Sequence, residues 1–134
     1  MKLKSLQWTS MIYAILGLVA GVFYREYTKW NDFDGQTLLK GLHTHILVLG
    51  FMFFLLVLIL GKLFEVHKAK SFKGWFWVYN IGFLLTLATM VARGIGQVKG
   101  LELPGLSHAA GMGHTILGAG LIWLLILLGK RIKE

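Results

Sequence analysis

The chain alternates between long apolar stretches and short charged ones. Four apolar stretches stand out: roughly Trp8–Phe23, Leu38–Gly61, Trp75–Ala92 and Leu106–Gly129. The second sets the tone for the rest. From Ile46 to Leu60 it holds no charge and no strong hydrogen-bonding side chain, and with its flanks it is long enough to cross a bilayer core as a helix. The connections are too short for a separate soluble domain, and no tandem repeat is visible. The pattern predicts an all-α fold, a single integral membrane four-helix bundle over residues 1–134.

Each stretch carries a few residues that break the apolar run. The first has Gly17 and Gly21, spaced as a small-xxx-small pair that favours close helix contact, with Tyr13 as its most polar interior residue. The segment Tyr24–Thr37 reads as an outer loop whose Tyr27, Trp30 and Phe33 form an interfacial belt. The third carries Asn80, expected to bond a neighbouring helix, and Arg93 at its outer end, placed to snorkel to water or to pair with an anion. Pro104 and Ser107 mark the start of the fourth near Leu106.

Composition supports the membrane reading. Residues of hydrophobic type make up 56% of the chain and the mean hydropathy is +0.67, more apolar surface than a soluble domain of 134 residues could hide. The net charge of +8 gains a plain explanation from topology. With the N-terminus in the cytoplasm, nine basic residues (Lys2, Lys4, Lys62, Lys68, Lys70, Lys73, Lys130, Arg131 and Lys133) lie inside, against five outside (Arg25, Lys29, Lys40, Arg93 and Lys99). Both termini are therefore expected to be cytoplasmic. Excess basic charge facing anionic lipid needs no nucleic-acid partner. The start, MKLKSLQW, resembles a signal peptide but lacks a clean cleavage site, so it is read as the first membrane helix. The absence of cysteine excludes disulfides, thiolate metal sites and c-type haem attachment.

Candidate chemistry lies in the histidines. His43 and His45 stand near the outer end of the second stretch, and His108 and His114 in the outer part of the fourth. Counted at helical rise from Lys62 and Lys130, His45 and His114 lie at roughly 25 and 24 Å, the same level, with His43 and His108 at roughly 28 and 33 Å. His43 and His45 are about 200° apart around their helix, and His108 and His114 a net 240°, so neither pair converges on one metal. His67, among lysines in a short loop, reads as solvated. Zinc asks for three or four converging ligands, and no carboxylate lies within any apolar stretch. A haem asks for one or two imidazoles, apolar space and cations for its propionates, a role open to Arg93 and secondarily to Arg25. Small residues around His114 (Ala109, Ala110, Gly111, Gly113, Gly118, Ala119, Gly120) leave a groove for another helix or a flat ligand. Met52, Met90 and Met112 need no ligand role, with Met112, close to His114 in sequence, the one to test.

At His43-Thr44-His45-Ile46-Leu47-Val48-Leu49-Gly50 the chain resembles the His-x-His helix of subunit I of haem-copper oxidases and nitric oxide reductases. Gly113-His114-Thr115-Ile116-Leu117-Gly118 is similar, more loosely, to that family's other haem-ligand helix. The resemblance implies His45 and His114 on the iron of a low-spin b-type haem, with His43 facing a second haem site. No further histidine pair for copper and no Tyr beside a histidine accompany them, so no complete catalytic site is recognised. As a whole the chain resembles a family of small four-helix bacterial membrane proteins, a domain of unknown function. Subunit I has three four-helix arcs, which a four-helix protein could imitate as a homo-oligomer, dimer or trimer.

The expectation is thus a multi-pass protein of the bacterial cytoplasmic membrane. It binds haem b near its outer face through His43, His45, His108, His114 and Arg93. Its roles would be electron transfer or binding of oxygen or nitric oxide, with a quinone or redox protein as partner. The rivals are a transition-metal transporter using the same histidines and a non-catalytic assembly subunit.

Overall fold

The computed structural model describes residues 1–132; Lys133, counted above among the inner charges, lies outside them. Four long helices account for most of it: α1 (Leu3–Trp30), α2 (Leu39–Phe64), α3 (Phe72–Lys99) and α4 (Leu106–Gly129). No strand occurs among the described residues. Each helix is long and apolar enough to cross a membrane, and at helical rise their lengths run from roughly 36 to 42 Å against a hydrocarbon core of about 30 Å.

The first three helices overrun their apolar stretches, while α4 coincides with its own. α1 continues through Arg25, Glu26 and Lys29 to Trp30, so half of the expected outer loop is helix. The apolar run ends where charge begins, but arginine, glutamate and lysine are good helix formers and do not end a helix. The connections shrink accordingly. The turn after α2 closes with Glu65 in the left-handed conformation (φ 55°) and one 3₁₀ turn, Val66–Lys68. Lys68 hydrogen-bonds the Glu65 carboxylate there and, with its charge, holds that carboxyl below its usual range.

Packing runs largely in chain order, α1 on α2, α2 on α3, α3 on α4. The last pair is close-packed backbone to backbone. A Cβ on Gly82 would stand 2.7 Å from the Leu117 amide nitrogen, and one on Gly113 would stand 2.9 Å from that of Thr86. Only glycine lets the two backbones approach so closely. Trp75 adds a buried bond, its indole Nε1–H donating to the Gly120 carbonyl at 2.7 Å. On the other side, Gly17 takes the Leu47 side chain and Gly50 the Tyr13 ring, so the small-xxx-small pair of α1 serves an internal contact.

The core is aromatic. Phe54, Phe72, Trp75, Tyr79 and Phe83 are fully buried, and Tyr13 reaches them from α1, stacked on Phe54 and edge-on to Phe83. Its hydroxyl donates to Asn80 Oδ1 at 2.6 Å, while Asn80 Nδ2 donates to the Phe76 carbonyl, so Asn80 bonds a neighbouring helix as expected. The outer faces of α1 and α4 remain apolar and exposed, for example Ile15, Leu18 and Val22 on one and Ile122, Leu125 and Ile126 on the other.

Candidate functional site

His45 sits nearly two turns into α2, His114 just over two turns into α4, and Arg93 near the end of α3. A helical side chain leans back toward the N-terminus of its helix, over the residue four earlier. For both histidines that residue is small, Gly41 or Ala110. His45 Nδ1–H donates to the Gly41 carbonyl at 2.9 Å, and His114 Nδ1–H to the Ala110 carbonyl at 2.8 Å. A carbonyl only accepts, so these bonds put the proton of each neutral ring on Nδ1 and leave the Nε2 lone pair free. Metal-ligating histidines are held in the same way, with one ring nitrogen anchored and the other presented.

Both imidazoles line one cavity of about 140 Å³, together with Leu38, Thr89, Met90, Arg93 and Ala110. The two histidines that the depth count put at one level thus line the same cavity. Arg93 also walls a larger vestibule of about 460 Å³ at the α3–α4 connection, whose other lining includes Gln97, Leu101, Glu102, Leu103, Pro104 and Ser107. Arg93 is half-buried, and among the described residues no carboxylate approaches it within ion-pair distance.

The glycines of α4 divide into two sets. Gly113 and Gly120 face α3 and are filled by Thr86 and Tyr79. Gly111 and Gly118, three before and four after His114 on its own face, have nothing within 4 Å of the Cβ position. The groove expected around His114 therefore receives a helix on one side and is open on the other.

The remaining candidates lie elsewhere. His43 points toward α1, its ring about 3.8 Å from the Cβ position of Gly21, so the two histidines of the His-x-His motif do face opposite ways. Its Nδ1 is buried without a partner and its Nε2 lies 3.3 Å from the Thr44 hydroxyl. His43 and the exposed His108 line neither cavity, nor does Arg25, which is exposed beside Glu26. Met112 is 60% exposed, whereas Met90 lines the cavity. The methionine to test is therefore Met90; it precedes Arg93 by three, a face-sharing spacing that could have flagged it. His67 is not a solvated loop residue either. Its Nδ1–H donates to the Gly61 carbonyl at 2.8 Å, closing the end of α2, and its own carbonyl accepts from the Met1 amino group. Among the described residues no group of three or more His, Asp or Glu converges.

Residues 3–131 match the family described as Protein of unknown function (DUF2871). The chain belongs to the DUF2871 family. No curated protein and no solved structure matches it. Nothing in these matches supports a likeness of this DUF2871 protein to oxidase helices.

Proposed function

We propose that this DUF2871 protein is a multi-pass protein of the bacterial cytoplasmic membrane, both ends cytoplasmic, that binds haem b at His45 and His114. The observation that carries the reading is the shared cavity: two imidazoles from helices on either side of α3, each with Nδ1–H tied to a carbonyl and Nε2 free. That donor set suits a haem iron, which takes two axial nitrogens, better than zinc, which asks for at least three protein ligands. Arg93, without a protein carboxylate, suits a propionate at the junction with the vestibule.

The cavity is half open, with His114 exposed, and its 140 Å³ is below the roughly 300–1,000 Å³ of small-molecule sites, so a macrocycle held here extends beyond it. Gly111 and Gly118 leave it room beside His114, and lipid or a second copy in a dimer or trimer covers its outer side. When bound by both imidazoles such a haem supplies one-electron transfer; held by one alone, as at His43 or His108, it offers an open position to oxygen or nitric oxide. A quinone or a redox protein is the corresponding partner. Protein expressed with ample haem and purified in mild detergent is expected to be red, with a Soret band that shifts on reduction. Colourless, folded protein sinks the reading.

A second reading has its own support. Met90 shares the cavity with the two histidines, and two imidazoles with a thioether form a soft set suited to copper. In that case the protein handles a transition metal. Elemental analysis separates the two, copper without iron against iron without copper. Met90→Leu would abolish copper binding and leave haem in place.

A further inference from the structure

The middle of α2 is not α-helical. Ile46–Met52, which begins directly after His45, is a π-helix seven residues long. Its sequence, ILVLGFM, contains no proline, so the widening has another cause. The hydrogen bonds identify it. In an α-helix the Phe53 N–H would reach the Leu49 carbonyl; here it bonds to Val48 and Gly50 instead. The Leu49 carbonyl accepts the Tyr79 hydroxyl of α3 at 2.8 Å, and the Phe51 carbonyl accepts the Ser10 hydroxyl of α1 at 2.9 Å.

Both ends of α2 are pinned independently. Below the π-segment, Phe54 and Val57 are fully buried in the aromatic core. Above it, Leu39 packs on Gly94, and the Thr37 hydroxyl donates to the Gly94 carbonyl at 2.9 Å. A π-turn accommodates about one extra residue, which in an α-helix corresponds to about 100° of rotation. The π-segment therefore sets the rotation of His45 relative to the buried lower half of α2.

We infer that Tyr79 and Ser10 are positioning residues for His45, holding the π-segment open so that the imidazole faces His114 across the cavity. Neither touches the cavity itself. Their action runs through the Leu49 and Phe51 carbonyls, which without these hydroxyls would draw the segment back toward α-helical bonding and turn His45 off the cavity.

The inference rests on the haem reading for one of its two tests only. In haem-free protein with isotope-labelled histidine, Tyr79→Phe is expected to move the His45 ring resonances in the NMR spectrum and leave those of His108 in place. Unmoved His45 signals in a folded variant overturn the inference, whether or not the protein takes up haem. In haem-loaded protein, Tyr79→Phe is expected to weaken haem retention about tenfold and raise the high-spin fraction, the lower end of what partners behind a ligand contribute. Ser10→Ala should act in the same direction. Tyr13→Phe is the control, because it also removes a buried hydroxyl bond between helices but not one to the π-segment. If Tyr13→Phe alters the spectrum as much as Tyr79→Phe, the effect is general loosening and the inference fails. Wild-type protein that takes up no haem refutes the haem reading and leaves the NMR comparison to decide the positioning role.

Discussion

Gly113 and Gly111 lie two residues apart on α4 and should respond oppositely to the same small change. In Gly113→Ala the new methyl would stand 2.7 Å from Thr86 Oγ1 and 2.9 Å from the Thr86 amide nitrogen, where ordinary contact begins near 3.4 Å. Thr86 is fully buried and its hydroxyl is already bonded to the Gly82 carbonyl, so it has nowhere to turn. α4 must retreat by about half an ångström or more, an overpacking cost of about 1–3 kcal/mol. Alanine's better helix propensity offsets about 1 kcal/mol, leaving a net loss of about 0–2 kcal/mol and a variant about 1–3 kcal/mol less stable than Gly111→Ala, which gains the same propensity. In Gly111→Ala the methyl meets nothing within 4 Å, so stability should hold or rise slightly. Because Gly111 flanks His114 on its open face, haem retention should nevertheless fall. Reversible unfolding in mixed micelles, followed by circular dichroism, gives the first quantity, and haem absorbance per chain gives the second. Equal stability of the two variants would refute the close α3–α4 contact on which the site's shape depends.

Further outcomes follow from individual contacts. His45→Ala and His114→Ala should each abolish the low-spin haem absorbance. His67→Ala should preserve the spectrum and cost about 1 kcal/mol in unfolding, for the lost bond to the Gly61 carbonyl. Tyr13→Phe removes the donor to Asn80 Oδ1; comparable bonds between membrane helices average about 0.6 kcal/mol, so a loss of about 0.5–1.5 kcal/mol by the same micelle titration is expected. Arg93→Gln should keep low-spin absorbance while speeding haem transfer to an excess of a high-affinity acceptor such as apomyoglobin, because a propionate loses its charged partner.

The helix count and the common level of His45 and His114, which line one cavity, were legible because each depends on a local count, apolar length in one case and residues from a basic anchor in the other. The opposed directions of His43 and His45 followed from helical rotation over two residues, which the π-segment beyond them does not disturb. Helix ends were less legible, since α1 runs past its apolar stretch through charged residues that favour helix. His67 and Met90 escaped for a different reason. Their roles depend on what another segment places beside them, the end of α2 for one and the cavity between helices for the other. The π-segment was invisible for the same reason, because the hydroxyls that hold it come from α1 and α3, far away in sequence.

The claim that two imidazoles hold one iron is tested most directly by electron paramagnetic resonance of the ferric protein. The account predicts a low-spin signal of bis-imidazole type, converted to high-spin by either His45→Ala or His114→Ala and unaffected by His108→Ala. A low-spin signal that survives in both single variants, or one lost only when His108 is replaced, would contradict it.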